Sequence, residues 1–306
     1  MPDYRYCAFG LAIRSELEVP VWPPGGGPSD VVVRLGTIPH PLSCDPIVEG
    51  EARLARIPSC SFPDRKSRLQ LLLAVGGIAN YLITGGTEIL VEPEPGSEPD
   101  SVRLFLQSAA LAALLHQRGN LPLHASGVAT PRGAVLFAGC SGSGKSTIAA
   151  ALHKRGFPLL ADEICSITGL FVHPSGSRAL LWRESLLHLG EDGACLRAIR
   201  QGVEKFILPL DSGTRQSAAM PIYAVYVLES GAPLEVAPLE GLQKIAALWQ
   251  HTYRLPFVRR MNLERQHLAR LCELADQARI RRLVRPDAKF PLNELVEFVE
   301  RELEER

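Results

Sequence analysis

Residues 123–167 read "LHASGVATPRGAVLFAGCSGSGKSTIAAALHKRGFPLLADEICSI". At their centre, Gly139 to Ser146 spell "GCSGSGKS", which fits the G-x-x-x-x-G-K-[ST] pattern of a phosphate-binding loop. The chemistry needs these residue types. Glycines let backbone N–H groups turn inward and approach phosphate oxygens with no Cβ in the way. The helix that follows aims its positive end at the same oxygens. Lys145 reaches the β- and γ-phosphates of a nucleotide as a point charge, and Ser146 supplies a hydroxyl to Mg²⁺, a cation that takes hard oxygen ligands and keeps several waters. Gly139, Ser141, Gly142, Ser143, Gly144, Lys145, Ser146 and Thr147 are therefore the candidate nucleotide cradle, with Thr147 read as a helix residue. The flanks agree: the apolar run "AVLFAG" precedes the loop, and the Ala-rich "KSTIAAALHKRG", ending in Gly156, follows it. Strand, loop, helix and a further apolar strand make an α/β unit with the loop at a strand's C-terminal end.

Asp162 and Glu163 close the run "FPLLA", Asp162 lying 17 residues beyond Lys145. Acids at the end of a parallel strand beside the loop strand can face a bound Mg²⁺ or the reacting phosphate. One can accept a proton from an acceptor hydroxyl while the other supports the metal. Ser146, Asp162 and Glu163 are thus the candidate metal ligands, and Asp162 and Lys145 candidate catalytic groups. His124 lies 15 residues before Gly139. It reads either as a packed histidine or as a donor or proton carrier near the phosphates, and spacing alone leaves both open.

Composition narrows the setting. Of 306 residues, 46% are hydrophobic and 22% charged, with Lys+Arg and Asp+Glu equal at 33 each. A neutral chain with no basic run carries no electrostatic footprint for nucleic acid. The seven cysteines form no CxxC and no Cys/His cluster, which argues against a disulfide framework and a zinc site. Cys140, inside the loop, suits a reducing compartment. The first residues, "MPDYRYCAFGLAIRSELEVP", do not form a signal peptide. The stretch "LQLLLAVGGIANYLITGG" is too short and too interrupted to span a membrane. The expected localisation is cytoplasmic, with no membrane partner.

The pattern along the chain predicts two domains. Residues 1–100 read as β-rich, with strands in "YRYCAFGLAIRSE", "VVVRLG", "EARLARIP" and a hairpin through "TGGT". The acidic, Pro-rich "EPEPGSEPDS" (92–101) marks the boundary. Residues 101–306 read as an α/β catalytic domain that begins with a helix over Val102–Arg118, carries the loop on its sheet, and ends in helical segments. "FPLLADEICSITG" reads as one buried strand, and Trp182 as a core residue.

At His124, "GVATPRGAVLFAG", "CSGSGKST", "LHKRG" and "FPLLADE", the sequence resembles the catalytic domain of HPr serine kinase/phosphorylase. The likeness is close over roughly residues 119–170. Other stretches, among them "LLWRESLLHLG", "VEKFILPL" and "TYRLPF", are similar to the HPr-kinase-like proteins of bacterial lasso-peptide gene clusters. The resemblance implies a mixed-sheet P-loop kinase fold and use of ATP or another nucleoside triphosphate with Mg²⁺. It implies transfer of a γ-phosphate to a serine hydroxyl, that of a lasso precursor peptide's C-terminal serine, and assembly into a homo-oligomer. By it, Asp162 would be the general base, Glu163 a metal or phosphate-site acid, and His124 the active-site histidine. The family writes Asp-Asp where this chain has Asp-Glu, and its glycine-rich bifunctional signature is missing here. The first departure, a side chain one methylene longer, weakens the case for direct metal contact by Glu163, and the second weakens the case for phosphorylase activity and for HPr itself as acceptor.

Two other readings stand beside this one. The acceptor could be an HPr-like protein or a small-molecule hydroxyl, or the chain could be a nucleotide-binding assembly module with little turnover. Arg254, Arg259 and Arg260 are candidate phosphate or substrate contacts, because phosphoryl transfer calls for cationic charge on the transferring group. Arg183, Glu184 and Lys205 are further charges that could face phosphate or peptide.

Overall fold

The structure is a computed structural model that describes residues 3–39, 47–49, 52–57, 69–176, 178–199, 203–209, 218–286 and 291–304. In chain order its first strands are β1 (Tyr4–Ala8), β2 (Leu11–Ser15), β3 (Val31–Leu35), β4 (Ile47–Glu49), β5 (Ala52–Ile57), β6 (Gln70–Val75), β7 (Ala79–Thr84) and β8 (Glu88–Pro93). Then come α1 (Pro99–Phe105), a π-helical turn (Leu106–Ala110) and α2 (Leu111–Gln117). The loop region holds β9 (Leu121–Thr130), β10 (Gly133–Ala138), α3 (Lys145–Lys154), β11 (Leu159–Ala161), β12 (Ile164–Thr168) and β13 (Phe171–His173). Beyond it lie β14 (Arg178–Trp182), α4 (Arg183–His188), β15 (Arg197–Ala198), β16 (Lys205–Pro209), β17 (Met220–Ser230) and β18 (Glu235–Pro238). The chain continues through α5 (Leu242–Gln250), α6 (Leu255–Arg260), α7 (Glu264–Gln277), β19 (Arg279–Arg285) and α8 (Leu292–Glu304). It is a mixed α/β protein that divides into two compact units, one of Met1–Pro122 with Tyr253–Arg270, the other of Leu123–Thr252 with Leu271–Arg306.

The first unit is built on an eight-stranded sheet ordered β1-β2-β3-β8-β7-β6-β5-β4. Its hairpins follow from turn chemistry: β7 and β8 pair antiparallel across Gly85 and Gly86, both with positive φ. β3 breaks the meander by running parallel to both β2 and β8. Tyr81 is fully buried on β7, and its hydroxyl donates to the Val102 carbonyl of α1 at 2.8 Å. The helix expected from Val102 starts earlier, at Pro99, whose missing N–H costs nothing in a first turn. All five residues of its π-helical turn are buried. Gly119, at φ 79°, ends it.

The second unit carries the Gly139–Ser146 loop. Its pairings run β10-β9-β12-β13-β17-β19-β18, and β10 also pairs with β17, so the path from β10 through β13 and back closes on itself. β10, β17 and β19 are parallel neighbours. Gly133 opens β10 at φ 128°, where a Cβ would meet the Pro221 carbonyl oxygen at 2.6 Å, so only glycine lets β10 lie this close to β17. The core beneath the loop joins Val135 and Phe137 of β10, Ile148 and Leu152 of α3, Tyr226 of β17, Leu283 of β19, and Val296 and Val299 of α8. β14, β15 and β16 form a separate three-stranded sheet.

Two sequence expectations change here. The run "FPLLADEICSITG" is two strands, β11 and β12, broken at Asp162 and Glu163, where Glu163 takes φ 71°. The strand that ends in the acids is also not beside the loop strand. β9 lies between them and is antiparallel to each, so β11 still runs in the same sense as β10 and its end reaches the same edge.

Within the first unit, α2 and α7 hold a buried histidine pair. His116 and His267 meet edge-on, ring centroids 5.6 Å apart, and His116 Nε2 is 2.9 Å from the Tyr253 carbonyl, to which it donates when neutral and protonated at that nitrogen. Burial pushes His116 down to about 3 and His267 down to about 4. Unfolding frees both to bind protons near the ordinary histidine value, so the stability they contribute is full above about pH 6.5 and is lost as pH falls toward the folded values. In urea unfolding between pH 7.5 and 5, stability should fall below pH 6.5 by up to about 1.4 kcal/mol per pH unit for each histidine. His267→Leu should flatten that slope by one proton, and an unchanged slope would refute the account.

Candidate functional site

The loop hangs between the end of β10 and the first turn of α3. Gly144 caps α3 from the left-handed region, φ 95° and ψ 10°, with no side-chain cap, and so leaves the helix's first N–H groups facing the loop. Lys145 is 6% exposed, folded over the loop with its Nζ donating to the carbonyls of Gly139 at 3.0 Å and Cys140 at 2.9 Å. Burial pushes its pKa down, the Asp162 charge pulls it up, and the Lys205 charge pushes it down again. Ser143 Oγ is buried in the loop with no hydrogen-bond partner. A buried orphan hydroxyl in a loop of inward-turned amides is a fitting neighbour for phosphate oxygens.

Asp162 is the point on which the site converges. Its Oδ1 accepts from Ser146 Oγ at 2.8 Å and from Ser126 Oγ at 2.5 Å, and its Oδ2 accepts from the Leu180 backbone N–H at 2.6 Å. The carboxylate thus binds the loop helix, β9 and β14 at once. Among the described residues no cluster of three or more His, Cys, Asp or Glu is arranged to hold a metal. Mg²⁺ does not need one, because it uses one or two protein oxygens with phosphate and water, and the Ser146 hydroxyl beside the Asp162 carboxylate fits that donor set.

One cavity gathers most of the residues singled out in the sequence. Ser141, Gly142, Gly144, Lys145, Ser146 and Thr147 line it, as do His124 and Glu163. His124 is half-buried, and its backbone N–H donates to the His251 carbonyl at 2.7 Å. Thr147 behaves as a helix residue: its hydroxyl donates to Ser185 Oγ of α4 at 2.8 Å. Arg254, Arg259 and Arg260 belong to the first unit, that of Met1–Pro122 with Tyr253–Arg270. Arg254 precedes α6 at φ 56° and sits over the Tyr253 ring.

Several neighbours of the site were not singled out by motif. Ser126 is two residues from His124 on β9, so the two side chains share a strand face, and period-two spacing was the signal that could have found it. Arg285 ends β19, and its Nε donates to the Ser143 carbonyl of the loop at 2.8 Å. Its arrival depends on strand order, which no local motif encodes. Arg178 faces both acids, and burial pushes its pKa down against the pull of Glu163 and Asp162. Trp182, expected in the core, is instead 43% exposed and lines the cavity, because it follows the buried Leu181 at the junction of β14 and α4. Arg183 turns away to pair with Glu204 at 3.0 Å.

No protein-family model matches the chain, and no curated protein matches it. Among solved structures it is similar to one described as the Hpr(Ser) kinase/phosphatase from Coxiella burnetii, at 12% identity and a TM-score of 0.31, over 60% of this chain and 99% of that one.

Ser126 is fully buried and donates to a carboxylate, so Ser126→Ala should cost about 2 kcal/mol of stability, typical of a lost charge-assisted hydrogen bond. Urea unfolding at neutral pH reads this directly. A loss below about 0.5 kcal/mol would mean that the bond contributes little.

Proposed function

We propose that the chain is a nucleotide- and Mg²⁺-dependent phosphotransferase that moves the γ-phosphoryl group of a nucleoside triphosphate to a serine hydroxyl. The observation that carries the reading is the Asp162 carboxylate bonded to Ser146 of the phosphate loop, with Glu163 beside it in a cavity that also holds Lys145 and His124. An assembly module needs the loop but has no use for a second acid and a histidine at its lip. In the transfer, the acceptor oxygen bonds to the γ-phosphorus, its proton passes to a carboxylate, and the nucleoside diphosphate leaves. The resemblance in sequence adds the acceptor class, a peptide serine, and within it the C-terminal serine of a lasso precursor peptide. Catalysis in such a site is positioning and charge neutralisation.

The two acids divide the work. The family pattern gives the proton to Asp162. Its three hydrogen bonds favour the other assignment, in which Asp162 and Ser146 hold the metal and Glu163, lining the cavity with His124, takes the acceptor proton. Bound Mg²⁺ would supply charge neutralisation on the phosphates.

The full chain incubated with ATP, Mg²⁺ and serine-ended peptides should phosphorylate the peptide, read by mass spectrometry. HPr-like protein and small hydroxyl compounds serve as competing acceptors, and turnover of none of them sinks the reading. Glu163→Gln should lose at least about 10²-fold in kcat while keeping Mg²⁺-dependent nucleotide binding. Asp162→Asn should lose the Mg²⁺ dependence of binding itself. If Asp162→Asn instead keeps that dependence and loses only transfer, the acids hold the opposite roles.

A further inference from the structure

The cavity over the loop contains a second lysine. Lys205 opens β16, and its ammonium lies 5.9 Å from the centroid of the Trp182 ring. The two residues are register partners across the β14–β16 pair. Both line the same cavity as Lys145, Ser146 and Glu163. Among the described residues no carboxylate is within ion-pair distance of Lys205, whereas its neighbour Glu204 is taken by Arg183.

The position is held from below. Leu181 and Phe206, the next register pair, are buried with Ala150 of α3, Leu186 of α4 and Leu208 in one apolar cluster. Thr147 on Ser185, and Lys154 on the Leu189 carbonyl at 2.7 Å, fasten α4 to the loop helix. Side chains alternate along a strand, so burying Phe206 and Leu208 turns Lys205 to the opposite face. β14 is itself fixed to the acids by the Leu180 N–H on Asp162. Lys205 therefore shares the cavity over the loop with Ser146 and Glu163, and Arg285 serves the loop from β19.

Lys145 and Lys205 bring like charges to one cavity, where an anion between them relieves the repulsion. Resting on the phosphotransferase reading of the loop, we propose that Lys205 is a second phosphate-binding cation, contacting the terminal phosphate of a bound nucleoside triphosphate and the charge that grows there during transfer. The Trp182 ring faces the lysine's ammonium and helps to hold it at the cavity. A diphosphate lacks the group that Lys205 would touch, so the residue discriminates ATP from ADP.

The test compares MgATP and MgADP binding by calorimetry, with peptide turnover, in the full chain carrying Lys205→Met or Lys205→Arg. Methionine keeps an unbranched side chain of similar length and removes the charge. Lys205→Met should weaken ATP about tenfold relative to ADP and lower kcat roughly 10²-fold, and Lys205→Arg should recover most of both. If the methionine variant melts well below wild type, Lys205→Gln carries the same measurement. An unchanged ATP-to-ADP ratio, or equal weakening of both nucleotides, overturns the proposal. If wild type binds both nucleotides but phosphorylates no acceptor, the kinase reading falls, while the ratio still decides Lys205. If wild type binds neither, both fall together.

Discussion

One carboxylate joins three elements that are far apart in sequence. Asp162 takes hydrogen bonds from Ser126 on β9, from Ser146 on α3 and from the Leu180 N–H on β14. A partly buried charge is tolerable only where donors replace the lost water, and here each donor belongs to a different piece of the second unit. Satisfying one group therefore sets three distances. The loop helix comes to the edge of the sheet, the histidine strand lies under the acids, and the small β14–β16 sheet is drawn to the cavity's rim.

The rest of the second unit makes that convergence possible. β9 is antiparallel to both β10 and β11, so the loop and the acids emerge at one edge although they do not share a strand pair. On the other flank, β17 and β19 run parallel to the loop strand and deliver Arg285 to the Ser143 carbonyl. Parallel strands present their C-terminal ends together, so the ends of β10, β17 and β19 lie at one edge with the loop.

The sequence was informative where the physics is local. Glycines at fixed spacing before a lysine and an Ala-rich helix describe one turn of chain, and the turn has the backbone they imply. Asp162 and Glu163 were legible as a pair at a strand end, but their strand's neighbour was not, because pairing order depends on contacts made elsewhere. Trp182 was misread for the same reason: an aromatic next to two leucines looks like core until the end of β14 exposes it. Arg285 carries no motif at all, and Lys205 was legible only as one charge among several. Their positions come from strand order and register, a tertiary outcome.

The tie from Arg285 to the loop spans 142 positions of the chain. Leu283, Val296 and Val299, which share the core under the loop with Phe137 and Ile148, come just as late. During synthesis, the glycine turn and its helix leave the ribosome long before the segment that braces them. The nascent chain thus passes through a stage in which the anion-binding amides exist without their backing strand. Formation of the turn and completion of its support are therefore separate events, local geometry coming first and the long-range contacts that brace it following.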